Sequence, residues 1–180
     1  KARLYRSISA DANPSGVGVV ETCCDDLFVP LEFEGREQKF TPGSHAVTEE
    51  RISYVGSGKV EFSVTVKPTI LTGKPQTIMS LGNKEITLDG EDQICWTAAS
   101  TKLVAPAPII LNRWYKIATS IDADGRMTLR VDQIRCSAGE ESLTVETKTD
   151  MAPGLDGTLF LAARDRGGSV AQFFNGRIEA

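Results

Sequence analysis

The chain contains little of what histidine-dependent catalysis and membrane insertion require. It has one histidine, His45, among 180 residues, and no Gly-x-Ser-x-Gly motif. A serine or cysteine nucleophile would therefore have a single histidine available as its base. The longest apolar run, VAPAPIIL at 104–111, is far shorter than the roughly 20 residues of a membrane-spanning helix. We expect His45 to lie on a loop without a catalytic role, and no membrane as a partner.

Clusters of positive charge are also absent. The 20 Lys and Arg residues are scattered among 24 Asp and Glu residues, which gives a net charge of -4. Binding to phosphates requires a clustered cationic face. The sequence therefore predicts no nucleic-acid partner. With 41% hydrophobic residues, the composition is that of an ordinary globular domain long enough to bury one core.

Cysteines are few and their spacing fits neither a disulfide framework nor a zinc site. The four are Cys23, Cys24, Cys95 and Cys136. Adjacent cysteines point apart in an extended chain, whereas zinc sites space them by two to four residues. No secretory signal is visible, and we expect free thiols in a reducing cytoplasm. The sequence starts without Met and stops in mid-pattern at NGRIEA, so we also expect a piece of a longer protein.

What the chain does have is regular alternation of apolar and polar residues. In LNRWYKIATSIDADGRMTLRVD, at 111–132, apolar and polar residues alternate on both sides of a DADG turn. This pattern predicts an antiparallel hairpin with one apolar and one solvated face. Packing alone explains the run.

Similar short segments follow one another along the chain, and no long amphipathic helix interrupts them. They are 2–10, 16–21, 60–67, 76–81, 84–88, 93–98, 114–121, 126–131, 142–147, 159–163 and 173–178. Short strands with turns at this spacing indicate two antiparallel sheets that bury their inner faces. The predicted class is therefore all-β, an antiparallel β-sandwich. We expect 1–48 to form N-terminal strands and a wrapping loop packed on a sandwich made by 49–180, in one compact unit.

The acidic and aromatic residues that could form a site have ordinary structural explanations. Asp89, Glu91 and Asp92 cluster in LDGEDQ, and Asp122 and Asp124 in the hairpin turn, but neither run has the spacing of a calcium loop. Turn carboxylates explain both, and calcium stays an alternative. The aromatic residues Trp96, Trp114 and Tyr115 are sugar platforms or packing residues, and packing is favoured. No residue is assigned as catalytic or as a metal ligand, and nothing selects a carboxylate pair for glycoside cleavage.

Two features near the end of the chain suggest contact with a partner. Arg164, Asp165 and Arg166 precede two glycines in a predicted loop. Phe173 and Phe174 are adjacent, and neighbouring residues of a strand point to opposite faces, so one phenylalanine should face a neighbouring strand layer, domain or subunit. We assign these five residues to a partner interface.

The order of several segments resembles a known fold family. FSVTVKPT, QTIMSLG, ITLDGEDQICW, the 111–132 hairpin and LDGTLFLAARDRGGSVAQFFNGRIEA are similar to the laminin-G-like, concanavalin-A-like jelly rolls. In that family a Trp-Tyr strand precedes a hairpin, and a late strand leads to an F-x-G-x-I closing strand. The resemblance covers roughly 42–180 and implies a jelly-roll sandwich.

A narrower resemblance lies in the N-terminal part. LYRSISADANPSGVGVVE, with D-x-N-P-x-G-x-G from Asp11 to Gly18, and FTPGSHAV at 40–47 resemble the large subunits of N,N-dimethylformamidase-like amidohydrolases. The resemblance implies a cytoplasmic, oligomeric, iron-dependent hydrolase of small amides, with a large and a small subunit. Its mononuclear iron is bound through a Tyr and carboxylates beyond this chain, so no cofactor is expected here.

Three hypotheses follow from the sequence. The first is a non-catalytic structural and assembly domain, whose partners are the remaining catalytic region of the same large subunit and the small subunit. The second is a carbohydrate-binding module, and the third a glycosidase of the same fold. Fold alone does not distinguish them.

Overall fold

The structure is a computed structural model that describes residues 2–6, 18–20, 31–33, 44–134, 141–149, 151 and 153–179. Side chains are described for 44–134, 142–149, 151 and 153–179. Within these ranges every regular element is a strand, and no helix is long and apolar enough to cross a membrane. Cys23, Cys24 and Cys136 lie outside the described residues, as does most of the predicted wrapping loop.

Eighteen strands are described, and they are numbered in chain order. They are β1 (Ala2–Arg6), β2 (Gly18–Val20), β3 (Leu31–Phe33), β4 (His45–Thr48), β5 (Ile52–Val55), β6 (Val60–Pro68), β7 (Gln76–Leu81), β8 (Lys84–Leu88), β9 (Gln93–Ala98), β10 (Thr101–Pro108), β11 (Trp114–Ile121), β12 (Arg126–Ile134), β13 (Glu141–Lys148), β14 (Gly154–Gly157), β15 (Leu159–Leu161), β16 (Arg164–Asp165), β17 (Val170–Ala171) and β18 (Gly176–Glu179).

Two large antiparallel sheets form the sandwich, which confirms the predicted class. The first sheet has the order β10-β9-β8-β7-β15-β4-β1-β2, and the second has the order β13-β12-β11-β6-β18-β3. β1, β2 and β4 are hydrogen-bonded members of the first sheet and β3 of the second. The N-terminal strands thus belong to both layers.

The core lies between the sheets and follows the period-2 alternation of their strands. Trp96 and Ile86 face inward from the first sheet, and Ile117, Leu129 and Val64 from the second. Full burial of one such aliphatic side chain contributes about 1.5–3 kcal/mol. The predicted alternation of 60–67, 114–121 and 126–131 is thereby confirmed.

The 111–132 hairpin forms as predicted. β11 and β12 pair from Trp114 with Ile134 to Ile121 with Met127. Gly125 has φ 79°, and a Cβ there would collide with the carbonyl oxygen of Thr149. The turn requires glycine for both reasons.

β10 is a strand that the sequence did not predict. Pro106 and Pro108 argue against a strand because proline donates no ladder hydrogen bond. However, β10 is the edge of its sheet, where one side of the ladder needs no partner, and its pairing with β9 shifts register between Val104 and Pro108. The edge position therefore accommodates both prolines.

A short hairpin projects from the first sheet between 162 and 172. The amide of Ala162 donates to Ile78 O at 2.8 Å, and Thr77 N donates to Gln172 O at 2.6 Å. Both ends of the hairpin are therefore hydrogen-bonded to β7. Phe174 N closes the base by donating to Ala162 O at 2.9 Å. Ala162 (φ 63°) and Gln172 (φ 56°) are both left-handed where the chain leaves and rejoins the sheet. We call 162–172 the excursion; it contains β16 and β17.

Candidate functional site

A small cavity opens on the outer face of the first sheet. Glu85 pairs with Ser80, whereas the next residue, Ile86, lies in the core, so Glu85 and Ser80 face away from it. Phe160 pairs with Ser80 and shares this face. The cavity has a volume of about 250 Å³. It is lined by Arg51, Ser80, Gly82, Glu85, Asp156, Gly157, Thr158, Phe160 and Asp165, and we call it the outer-face cavity.

Glu85 supplies a largely buried carboxylate to this cavity. Arg164 donates from Nη1 to Glu85 Oε2 at 2.8 Å, and the side chain of Glu85 is only 13% exposed. Burial raises the pKa of the Glu85 carboxyl, and the positive charges of Arg164 and Arg166 oppose that rise. The buried Nε of Arg164 has no hydrogen-bond partner. The cavity therefore holds a largely buried carboxylate whose partner is a guanidinium group of the excursion.

Arg51 and Asp156 form the rim. Nε and Nη2 of Arg51 donate to the two carboxylate oxygens of Asp156 at 2.6 and 2.7 Å, in a bidentate pair exposed to solvent. The hydrogen bond from Arg51 lowers the pKa of Asp156. The two residues are 105 positions apart in sequence and meet because β5 pairs with β14.

The rim is held against the sheet by a contact between two backbones. Gly82, in the β7–β8 turn, has φ 58°, and a Cβ there would collide with Asp156 O. A Cβ on Gly157 would lie 2.6 Å from Gly82 N. The two backbones approach this closely because both positions are glycine. The contact places Asp156 over the β7–β8 turn.

Aromatic rings lie beside the cavity on the same face. The imidazole of His45 is stacked on Phe160 with ring centroids 6.3 Å apart and lies 6.0 Å from Phe173. His45 is buried and begins β4, so its predicted position on a loop is wrong. Pairing of β4 with β1 and β15 on both sides explains the difference, since each side supplies ladder hydrogen bonds.

The residues assigned to a partner interface do not form one exposed surface. Phe174 (0% exposed) lies in the core, and Phe173 (6% exposed) faces His45 on the other side, so they do point to different surroundings. Phe173 therefore faces other side chains of this chain rather than the core that holds Phe174, and its assignment to a partner interface stays a prediction. Asp165 accepts the amide of Gly168 at 2.8 Å. The role of Arg164 to Arg166 at an interface stays a prediction.

The acidic clusters are engaged by their own turns. Asp89 Oδ1 accepts the amides of Glu91 and Gln93, both at 3.0 Å, and Asp124 Oδ1 accepts that of Arg126 at 3.2 Å. Among the described residues, no three His, Cys, Asp or Glu side chains are grouped so as to hold a metal ion.

The two tryptophans differ in burial. Trp96 is fully buried and lies 5.6 Å from Phe62, and the favoured packing interpretation holds for it. Trp114 is half-buried at the start of β11. The aromatic ring that reaches the outer-face cavity is instead Phe160, which sequence patterning did not single out.

Comparisons with known proteins identify the fold. No protein-family model and no curated protein matches the sequence significantly. A protein from Bacteroides ovatus assigned as carbohydrate-binding has a similar structure, with TM-score 0.59 and 14% identity over 83% of this chain. The native heptameric SAP-like pentraxin from Limulus polyphemus gives TM-score 0.50 and 16% identity over 82% of this chain.

The matched region covers 41% of the Bacteroides protein and 71% of the pentraxin, so this chain spans about two fifths of the first relative's length. At these identities the likeness concerns the fold. The chain is an all-β, concanavalin-A-like jelly roll, as its residue pattern and the first resemblance predicted. Nothing in these comparisons links it to dimethylformamidase.

Proposed function

We propose that this jelly roll is a non-catalytic structural and assembly domain in the large subunit of an iron-dependent amidohydrolase that cleaves small amides to amine and formate. The sequence motif from Asp11 to Gly18 and FTPGSHAV at 40–47 support the enzyme family. The iron, the cytoplasmic location and the small subunit belong to the same proposal. Its partners would be the catalytic region of the same subunit and the small subunit.

The observation that carries the assembly role is an exposed apolar surface at one end of the sandwich. Ile70, Ile110 and Leu111 are 47%, 56% and 37% exposed. Their loops are joined, since Asn112 N donates to Pro68 O at 2.8 Å and Ile110 N donates to Tyr115 Oη at 2.7 Å. We call these three side chains the end surface. Large aliphatic side chains exposed together are typical of surfaces that other domains cover.

The test is assembly of the complete gene product with Ile110→Asp and Leu111→Asp. We expect the double variant to lose its oligomeric mass in analytical ultracentrifugation while this chain alone keeps its Tm. Val55→Asp is the matched control, because Val55 is 96% exposed at the opposite end of β7. Unchanged assembly of the double variant would contradict the proposed role of the end surface.

The enzyme family has its own test. Amidase activity on dimethylformamide and formamide, together with iron content, should be measured for the complete gene product and for this chain. We expect activity and iron only in the complete product. Activity in the isolated chain would refute the non-catalytic assignment, and a complete product inactive on both amides would refute the family.

Carbohydrate binding is the second candidate, and the outer-face cavity favours it. The carboxylates, the guanidinium group of Arg51 and the hydroxyl of Ser80 are groups that hydrogen-bond sugar hydroxyls, and the ring of Phe160 offers a surface on which a sugar ring packs. The structural likeness to the Bacteroides protein adds support at the level of fold.

A glycan array followed by titration calorimetry tests this candidate. Binding that is lost in Arg51→Ala but kept in the exposed-site control Arg113→Ala would place a sugar in the cavity. An array without hits would remove the candidate. Glycoside cleavage, the third hypothesis, requires two carboxyl groups placed as acid and as base or nucleophile. Glu85, Asp156 and Asp165 line the cavity, and each accepts a hydrogen bond from the described chain.

A further inference from the structure

A second concave surface lies beyond the β7–β8 turn, at the end of β7 away from the end surface. It has a volume of about 460 Å³, within the range of small-molecule sites. Its described lining residues are Tyr54, Val55, Asn83, Lys84, Met151, Pro153, Gly154, Leu155 and Asp156. We call it the lysine groove. Asp156 is the one residue that lines both this groove and the outer-face cavity.

Lys84 is the unusual residue of this groove. It begins β8 directly after the turn and pairs with Leu81 and Ala98, both of which are buried. Although it is a lysine, only 5% of its surface is exposed. Lysine is almost never buried to this extent without a paired charge.

No carboxylate compensates this ammonium group in the described part of the chain. Nζ donates to Asn83 Oδ1 at 3.2 Å, which is a neutral acceptor. The neighbouring Asp156 already receives both donors of Arg51. Burial lowers the pKa of Lys84, and no negative charge opposes this effect. A buried cation without a counter-ion is costly, and an anion supplied by a ligand removes that cost.

The rest of the groove is mainly apolar. Tyr54 and Val55 are exposed on β5, and Leu155 lies across from Tyr54 in the β5–β14 pair. Met151 and Pro153 complete the wall. An apolar tail placed here would cover side chains that now face water.

We propose that the lysine groove binds a small monocarboxylate with an apolar tail. The carboxylate accepts from Lys84 Nζ, and the tail lies along Tyr54 and Leu155, with Val55 at the rim. Lys84 is the one cationic residue among the described lining residues, so a second carboxylate on the ligand would find no positive charge there. An amine of the same length would place its positive charge beside Lys84. The proposal is independent of the assembly role and of sugar binding in the outer-face cavity.

The experiment is titration calorimetry with four probes of equal chain length: octanoate, octanol, octylamine and suberate. For the unmodified chain we expect saturable binding of octanoate, at least tenfold tighter than that of the other three. Lys84→Met keeps an unbranched side chain and removes its charged end, so octanoate should bind no more tightly than octanol. The surface control Lys116→Met should behave as the unmodified chain.

A second variant keeps the test decisive if Lys84→Met does not fold. Val55→Asp changes an exposed residue and adds a negative charge to the rim, so it should weaken octanoate severalfold and leave octanol nearly unchanged. Saturable octanoate binding that neither variant alters would overturn the proposal. Failure of the unmodified chain to bind octanoate would overturn it as well.

Discussion

Arg164 neutralises a carboxylate that its own fold buries. It lies at the start of the excursion and reaches Glu85 on β8, 79 residues away in sequence. The sequence suggested an exposed loop around Arg164, because a residue pattern does not show which charge a loop will fold over. The same limit applies to Arg51 and Asp156, whose meeting depends on the pairing of β5 with β14.

Arg164→Ala should destabilise the chain by about 1–3 kcal/mol at neutral pH, because it leaves a buried carboxylate without its donor. The folded-state pKa of Glu85 is already raised, so stability falls as pH rises from its unfolded value through the folded one. Removing Arg164 raises that pKa further. The loss should therefore be larger at pH 7 than at pH 4, as measured by urea unfolding.

Glu85→Gln in the Arg164→Ala background is the control for this prediction. It removes the buried charge, so most of the lost stability should return and its pH dependence should disappear. An equal loss at pH 4 and pH 7 would show that packing of Arg164, rather than its charge, stabilises the fold.

Gly82 is the other residue on which the site depends. Gly82→Ala places a Cβ against Asp156 O and forces a left-handed conformation on a residue that disfavours it. We expect a loss of about 2–4 kcal/mol in denaturant unfolding, with faster amide exchange in β14. Gly73→Ala is the control, since Gly73 has a similar φ of 65° but nothing within 4 Å of the added Cβ. An equal loss of stability in Gly82→Ala and Gly73→Ala would show that backbone strain alone causes the effect.

Among the elements, β7 is the strand most enclosed by the protein. All six of its residues are buried, including Gln76, Thr77 and Ser80. Gln76 Oε1 accepts the backbone and side-chain amides of Asn175, at 2.9 and 3.1 Å, and its Nε2 donates to Ile70 O at 3.1 Å. One side chain thus ties Asn175, which follows the excursion, to the loop that carries Ile70 of the end surface.

Gln76→Ala should cost about 2–4 kcal/mol, because it removes three hydrogen bonds, two of them from the buried backbone and side-chain amides of Asn175. Native-state hydrogen exchange should show the largest increase at the Asn175 amide. Gln93→Ala, which removes a single hydrogen bond to Ala105 O, is the matched control and should lose less. Unchanged exchange at Asn175 would mean that backbone hydrogen bonds, rather than the Gln76 side chain, hold the segment around Asn175 in place.

The accuracy of the sequence prediction varied with the kind of element. The strands 76–81, 84–88, 93–98 and 114–121 were predicted with their observed bounds, because turn residues flank apolar strands there. The late segment 173–178 was placed too early: β18 begins at Gly176, since the preceding residues first rejoin β7. β5, β14, β16 and β17 have no alternation long enough to detect and are defined by their partners.

At the scale of the whole molecule, the burial of Cys95 makes it a probe of global unfolding. Its thiol is fully buried on β9, with Sγ 3.3 Å from Asp89 Oδ2. Burial and the nearby Asp89 carboxylate raise the pKa of Cys95 to about 11. The reactive thiolate is therefore scarce in the native state.

In a variant with the other three cysteines changed to serine, Cys95 should resist a disulfide reagent at pH 8 until the chain unfolds. Because the folded pKa exceeds the unfolded one, this thiol contributes stability below about pH 9 that is lost as pH rises toward about 11. Labelling rates across urea concentrations check the first expectation, and urea unfolding at pH 8 and pH 10.5 checks the second. Rapid labelling in native buffer would show local opening of β9 instead.

The closed base of the excursion also makes this protein a scaffold for display. Phe174 N donates to Ala162 O, and β7 pairs with Ala162 and Gln172 at the two ends of the excursion, so the residues at its tip contribute nothing to the β7 ladder. Foreign peptides inserted between Gly167 and Gly168, at the tip of the β16–β17 hairpin, would leave the sheet, Arg164 and the core in place. The jelly roll can therefore carry an added loop at this one point without refolding around it.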